Sequence, residues 1–313
     1  MDAVSPPHIP VLAGPALEWL AVREEGVYVD ATAGAGGHAA LIAGRLGGKG
    51  RLIALDRDPS AVALARDRLQ QYPGATVLQA NYGDLAEIVV RQGLEGVDGV
   101  LIDAGVSSMQ LDTPFRGFSF QVADAPLDMR MDSSSGEDAA TLLARMREDA
   151  LAEALRRYGD VGPARRIART IVRRCAEGRM RRTSDLAAAV REALDFVSGE
   201  PDELRTVFQA VRILVNDEYR WLEAGLEAAV TVLRPGGRVV AISFHSGEDR
   251  IVKETFRRYA RPRRECWPDG RLKSVTEPVL EILTPKPVRA DDVELRKNSR
   301  AKSALLRAAQ KRT

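Results

Sequence analysis

The first hundred residues alternate short apolar runs with segments whose apolar residues recur at helical spacing. The strand-like runs are VYVDA, RLIALD, ATVLQA and DGVLID, and the helical segments between them are LIAGRL, PSAVALARDRL and DLAEIVV. In Asp58 and Pro59, an N-cap residue precedes a proline suited to the first helical position, which predicts a helix start. This alternation is typical of a parallel sheet covered by helices.

After Asp103 the alternation stops, and the next ninety residues read as a loop followed by helices. Within them, ARRIARTIVRRC places Ile167 and Ile171 on one face of a helix and arginines on the others. The pattern then predicts a long helix through VRILVNDEYRWLEAGLEAAVTVL, a turn at RPGG, a strand RVVAISF, and closing strands in PVLEILT and SALLRAA.

These elements predict an α/β fold with two domains. A doubly wound domain is formed by residues 1–112 and 206–313, and a mainly α-helical domain, residues 113–205, is inserted after the fourth strand.

The composition of the 313 residues is that of a soluble globular protein. No apolar run approaches the roughly 20 residues that span a bilayer, and the stretch MDAVSPPHIP lacks the features of a signal peptide. Cys175 and Cys266 lie far apart and outside any Cys/His cluster, so neither a disulfide framework nor a metal site is expected. We expect a cytoplasmic protein that is not bound to a membrane; its oligomeric state stays open.

Positive charge is unevenly distributed along the chain, although the net charge is only +2. Ten arginines lie between Arg156 and Arg182, a second basic run extends from Arg257 to Lys273, and the segment after Glu294 holds Lys and Arg but no acidic residue. Basic segments on a near-neutral protein favour a polyanionic partner, with RNA or DNA first in line; arginines that merely solvate helix faces are the alternative.

A glycine-rich turn joins the first strand to the first helical segment that follows it. Gly34, Gly36 and Gly37 let backbone amides approach a ligand closely, and the turn satisfies the loose dinucleotide pattern GxGxxA. Asp56 ends the next strand, twenty residues after Gly36, where a carboxylate can accept both hydroxyls of a ribose. Because NAD and S-adenosylmethionine both carry such a ribose, this pattern does not separate them. Asp103 ends the fourth strand, at the edge where ligands of such sheets bind.

Nine blocks of the chain resemble, in order, the bacterial ribosomal RNA small subunit methyltransferase H family, also called MraW. RGFSF, PLDMRMD and SFHSGEDR are far more specific than a glycine turn. The blocks are HIPV from His8, DATAGAGGH from Asp30, IALDRDPSA from Ile53, DGVLIDAGVSSMQLD from Asp98, RGFSF from Arg116, PLDMRMD from Pro126, FQAVRILVNDE from Phe208, GGRVVAISFHSGEDRIVK from Gly236 and NSRAKSALLR from Asn298.

The resemblance implies a Rossmann-like, class I S-adenosylmethionine-dependent methyltransferase domain with an inserted helical domain. It implies methylation of the N4 amine of a cytidine in the decoding region of 16S ribosomal RNA, which we expect to be bound within the small ribosomal subunit. By position, the cofactor-binding residues are Gly36, Gly37, His38, Asp56, Tyr82, Asp103 and Gln110.

Three departures from the family pattern concern the substrate pocket. Ala104 stands where the family has the Leu of DLGVSS, Gly247 replaces the Leu of FHSLEDR, and DELRT, at 202–206, replaces an HPAT-like segment. Tyr82 replaces a Phe and keeps an aromatic face.

Methylation of a cytosine amine needs hydrogen-bond acceptors, because the amine lone pair is delocalised into the ring. Asp103, Ser107 and Ser108, together with backbone carbonyls of their loop, are the candidate acceptors. Phe244 is expected to stack on the extruded base, while His245 either contacts RNA or is a structural histidine. The arginines expected to hold RNA are Arg165, Arg166, Arg169 and Arg173.

Two other functions remain open at this stage. A nicotinamide-dependent oxidoreductase would use the same glycine turn but leaves the arginine runs unexplained. A non-catalytic RNA-binding assembly factor would keep the cofactor fold without turnover.

Overall fold

A computed structural model of the chain describes residues 10–121, 124–269 and 271–313. His8, in the first of the family-like blocks, lies outside these residues. The chain forms two compact units. The first unit comprises Met1–Gly105 with Tyr219–Thr313, and the second unit comprises Val106–Glu218.

The first unit is built on a seven-stranded sheet in the order β3-β2-β1-β4-β5-β9-β8. Strands β1 to β5 are parallel, whereas β9 runs antiparallel to both β5 and β8. A separate antiparallel hairpin pairs β6 with β7. The strands are β1 Val27–Asp30, β2 Arg51–Asp56, β3 Ala75–Gln79, β4 Val97–Asp103, β5 Leu233–Ser243, β6 Arg263–Cys266, β7 Leu272–Thr276, β8 Leu280–Ile282 and β9 Leu305–Lys311.

In the first unit, helices pack on both sides of the sheet. The second unit is made up mainly of helices. The helices of the two units are α1 Ala13–Leu20, α2 Gly37–Ala43, α3 Pro59–Leu69, α4 Leu85–Arg91, α5 Ser108–Asp112, α6 Ala139–Arg145, α7 Glu148–Gly159, α8 Ala164–Ala176, α9 Thr183–Ala193, α10 Glu203–Asn216, α11 Glu218–Val232, α12 Ser246–Tyr259 and α13 Asp292–Lys297. Among the described residues, we find no helix with the length and apolar character needed to cross a bilayer.

The predicted α/β fold is confirmed. The early strands form the parallel part of the sheet; β1, β2 and β4 are largely buried under helices, whereas the edge strand β3 is only partly buried. The helix after β2 begins as predicted: the Asp58 side chain accepts a hydrogen bond from the Ser60 amide, with Pro59 in the first turn. The two closing strands are β8 and β9.

Register places the ends of three neighbouring strands at one edge of the sheet. Asp30 pairs with Leu101 in β4, and Asp103 pairs with Ile242 in β5. The residues that follow β1, β4 and β5 therefore lie side by side, as the ligand-binding edge of a parallel sheet requires.

The second unit is helical, and its core is lined by the apolar face of α8. It begins and ends at Val106 and Glu218, whereas the sequence placed the inserted domain at 113–205. The difference at the far end arises because α10 buries Val207, Phe208 and Val211 in this helical core.

Two details differ from the sequence-based expectation. The long helix predicted from Val211 onward is two helices, because Asp217 adopts a left-handed conformation, with φ of 50°, between α10 and α11. The β6–β7 hairpin was not predicted, since every residue of β7 is exposed and no apolar face marks it.

Candidate active site

The glycine turn after β1 needs its glycines for conformational reasons. Gly34 and Gly36 have φ of 53° and 78°, in the left-handed region that glycine enters without strain. A Cβ on Gly36 would lie 3.3 Å from the Ala65 backbone, so the turn also packs closely against α3. Gly37 and His38 then open α2.

Asp56 fastens this turn to the end of β2. Its carboxylate accepts hydrogen bonds from the Gly34 amide at 2.8 Å and from the Asp58 amide at 2.9 Å. Burial raises the pKa of the Asp56 carboxyl to about 6. The structure thus places Asp56 in contact with the glycine turn, and ribose binding by Asp56 stays a prediction.

At the end of β4, Asp103 lies beside His38 and Thr32. His38 Nε2 is 3.6 Å from Asp103 Oδ2, and the hydroxyl of Thr32 accepts a hydrogen bond from the Asp103 amide at 2.7 Å. Among the described residues, neither Asp103 Oδ1 nor Oδ2 of the fully buried Asp30 has a hydrogen-bond partner. Asp103 therefore presents a polar atom that the protein itself leaves unpaired.

Burial controls the charge of this group of side chains. Burial, followed by the charges of Asp30 and Glu248, raises the pKa of Asp103 well above its ordinary value. Burial also raises the pKa of Asp30 to about 7 and lowers that of His38 to about 4. His38 is accordingly neutral at pH 7, and the Asp103 carboxyl holds a proton more readily than an exposed aspartate does.

The segment after β5 is held by a buried carboxylate that the sequence reading missed. Glu248, 2% exposed, accepts the Phe244 amide hydrogen at 2.7 Å through Oε2, and its Oε1 lies 3.0 Å from His245 Nε2. The only sequence signal is its position three residues after the N-cap His245, where an acid often closes a capping interaction.

His245 makes the contacts of a structural histidine. Its Nδ1 accepts from the Glu248 amide at 3.4 Å and lies 3.5 Å from the Tyr219 hydroxyl. The rings of Tyr219 and His245 are 5.8 Å apart. These contacts favour the structural alternative, and a contact of His245 with RNA stays a prediction.

Gly105 brings the β4 and β5 ends together. Its φ is 99°, and a Cβ there would lie 3.5 Å from both Glu248 Oε1 and the Phe244 ring. The loop after Asp103 can therefore approach Phe244 closely. Phe244, the predicted stacking residue, thus lies next to the loop that follows Asp103 within the first unit.

The predicted acceptors beyond Gly105 belong to the second unit. Ser107 Oγ accepts from the Gln110 amide at 3.2 Å, and Gln110 Oε1 accepts from the Ser107 amide at 3.0 Å. This reciprocal pair is a capping box at the start of α5, which the Ser-x-x-Gln spacing could have predicted. Ser108 is the first residue of α5, and its side chain lies outside the described part of the structure. Their cofactor and catalytic roles stay predictions.

Tyr82 lies just beyond β3, in a short 3-10 helix, Tyr82–Asp84. Its ring packs against Gly225 of α11, where a Cβ would come within 2.4 Å of it. Its proposed contact with adenine stays a prediction.

Each of the four arginines predicted to hold RNA is exposed but faces a carboxylate. Arg165 lies 3.1 Å from Asp149, and Arg166 lies 2.8 Å from Asp195. Arg169 lies 3.4 Å from Glu148, and Arg173 pairs with Glu192. The outer face of α8 is therefore largely neutralised within the second unit. RNA binding by these arginines stays a prediction.

Comparison with known proteins matches the whole chain to one family. The model of the MraW methylase family matches residues 5–312. Ribosomal RNA small subunit methyltransferase H from Symbiobacterium thermophilum is 46% identical over 97% of this chain and 96% of its own length. The proteins of the same name from Geobacter sulfurreducens and Heliobacterium modesticaldum are 46% and 45% identical, each over 97% of this chain and 98% of their own. The resemblance drawn from the sequence blocks is thus confirmed over the full length, and the chain belongs to the MraW methylase family.

Proposed function

We propose that the chain transfers a methyl group from S-adenosylmethionine to the N4 amine of a cytidine in the decoding region of 16S ribosomal RNA, within the small ribosomal subunit. Membership of a methylase family makes the chain a methyltransferase and removes the nicotinamide-dependent alternative. The names of its relatives support small-subunit ribosomal RNA as the substrate. The observation that carries the chemistry is the unpaired carboxyl oxygen of Asp103 beside the glycine turn.

The residues of the first unit suit the cofactor. Gly36 and Gly37 form a turn that backbone or ligand atoms can approach closely, and Asp56 sits against it with a carboxylate for ribose hydroxyls. Asp103 and the neutral His38 border the same turn and offer polar atoms to the amino acid end of the ligand. When bound, S-adenosylmethionine supplies an electrophilic methyl group on its sulfonium sulfur.

The chain's own contribution is to orient the amine and to take its proton. The Asp103 carboxylate accepts a hydrogen bond from the N4 amine, which turns the nitrogen lone pair away from the ring system. Its raised pKa lets it hold the proton that the methylated amine loses. Phe244, fixed through its amide by Glu248, provides an apolar face for the extruded base.

Labelled methyl transfer tests this function directly. Purified protein and labelled S-adenosylmethionine are incubated with small ribosomal subunits that lack the modification, and with naked 16S ribosomal RNA from them. We expect label in N4-methylcytidine after digestion to nucleosides, with assembled subunits the better substrate. Label in another nucleoside would contradict the N4 assignment. Binding of subunits and cofactor without transfer would favour the assembly-factor alternative.

A further inference from the structure

A concavity of about 270 Å³ lies on the first unit, where the second half of α12 faces β8 and the segment that follows it. Phe256, Ile282 and Pro285 line it with apolar atoms, which we call its apolar floor, and Thr284 lies among them. Lys253 and Arg257 stand on its rim, four residues apart and so on the same face of α12. The concavity combines an apolar surface with two cations.

The two cations on this rim have no acidic partner. Among the described residues, neither Lys253 nor Arg257 forms an ion pair. The third cation of the lining, Arg307, is held by Asp249 through contacts of 2.7 and 3.0 Å. Among the lining residues that the structure describes, none is a carboxylate. Its rim therefore keeps a net positive charge.

This rim differs from the arginine face of α8, which the sequence singled out. Each α8 arginine in that prediction faces a carboxylate of α7, of α9 or of the segment just after α9. Such pairs reduce the charge available to phosphate, whereas Lys253 and Arg257 need break no ion pair to bind one. An adjoining concavity of about 300 Å³ shares Arg257 and adds Arg258 and Arg261, with Glu254 at its edge. Arg258 is paired with Glu227 at 2.5 Å, so the cation that this second concavity adds without an ion pair among the described residues is Arg261.

We propose that the concavity between α12 and β8 binds a nucleotide of the RNA that flanks the methylated cytidine, with its phosphate on Lys253 and Arg257 and its base or sugar over the apolar floor. α12 starts directly after Phe244 and His245, and Arg257 lies eleven residues along it, about 16 Å from the start. The separation places this nucleotide outside the methylation site. The inference rests on the proposed function, since it takes RNA as the substrate.

Charge substitution with a matched control tests the subsite. Arg257→Ala and Lys253→Ala each remove a cation from the rim, while Arg165→Ala removes one that is paired on α8. We expect each rim variant to bind 16S ribosomal RNA about tenfold more weakly and to lower the slope of log Kd against log salt by about 1. Arg257→Lys should keep most of the affinity. In methyl transfer, KM for subunits should rise while kcat and cofactor affinity stay unchanged.

Several results would overturn the subsite. The proposal is wrong if Arg257→Ala keeps the wild-type RNA affinity and salt slope. It is also wrong if Arg165→Ala loses as much RNA affinity as the rim variants do. A loss that appears with assembled subunits but not with naked RNA would assign the concavity to a ribosomal protein instead. If a lower cofactor affinity or melting temperature of a rim variant explained its weaker RNA binding, the substituted residue would have a structural role and would not bind RNA. A failure of the proposed function can be distinguished from these results, because in that case the wild-type protein itself would form no N4-methylcytidine.

Discussion

Gly247 and Tyr219 illustrate how one residue departs from its family without loss of the local packing. A Cβ on Gly247 would lie 1.8 Å from the Tyr219 hydroxyl oxygen, so the tyrosine fills the space where the family pattern has a leucine side chain. The Tyr219 ring in turn packs beside His245. The two positions are therefore expected to depend on each other.

Restoring leucine at 247 tests this dependence. We expect Gly247→Leu to lower the free energy of unfolding by about 1–3 kcal/mol, because the new side chain collides with Tyr219. Adding Tyr219→Ala should recover part of that loss in urea unfolding. If the two substitutions were simply additive, Tyr219 would not be the residue that fills the leucine space.

At the residue scale the sequence predicted the positions of several groups but not their partners. Asp56 and Asp103 were recognised because each ends a buried strand, and the structure places both near the glycine turn. Glu248 was missed because an acid in the first turn of a helix usually faces solvent. Its burial depends on contacts with Phe244 and His245 that only the folded chain creates.

Three elements converge on Asp103, and its charge is set by burial and by the carboxyls on two of them. Asp30 faces it from β1, His38 from α2 and Glu248 from α12. Burial, Asp30 and Glu248 all raise the pKa of Asp103, so its carboxylate form, the acceptor, becomes dominant only as pH rises through that raised pKa. The rate of methyl transfer should therefore increase as pH rises through the raised pKa of Asp103.

Glu248→Gln tests this electrostatic coupling. The amide oxygen can still accept from the Phe244 amide, but the negative charge near Asp103 is lost, so the pKa of Asp103 falls. The rising limb of the pH–rate profile should move to lower pH. Glu281→Gln on β8, an exposed site, should leave the profile unchanged. An unchanged or upward-shifted limb in Glu248→Gln would contradict the coupling.

Helices and strands were predicted where burial imposes a regular spacing of apolar residues, and they were missed where it does not. Strands β1, β2 and β4 have apolar runs because both of their faces are covered, whereas the edge strand β3 is only partly buried. The β6–β7 hairpin has no such signal, and the break at Asp217 interrupts a segment that stays amphipathic on both sides. A single left-handed residue leaves little trace in hydrophobic periodicity.

On the scale of the whole molecule, charge distribution was the least predictable property. The arginine runs are visible in the sequence, but the carboxylates that neutralise α8 come mostly from α7 and from residues 192–195. Pairing between distant segments cannot be read from a local run. Two cations that have no carboxylate partner among the described residues, Lys253 and Arg257, lie on α12 in the first unit, which adds a place where RNA phosphate is expected to bind.

The central claim, that Asp103 orients the cytosine amine and takes its proton, is tested most directly by single-turnover kinetics of N4-methylcytidine formation on small subunits. Wild type and Asp103→Asn are compared at saturating cofactor between about pH 5 and 9. The account predicts a wild-type rate that rises with pH, and a variant rate lower by about 10²-fold without that rise. An Asp103→Asn enzyme with the wild-type rate and pH profile would contradict it.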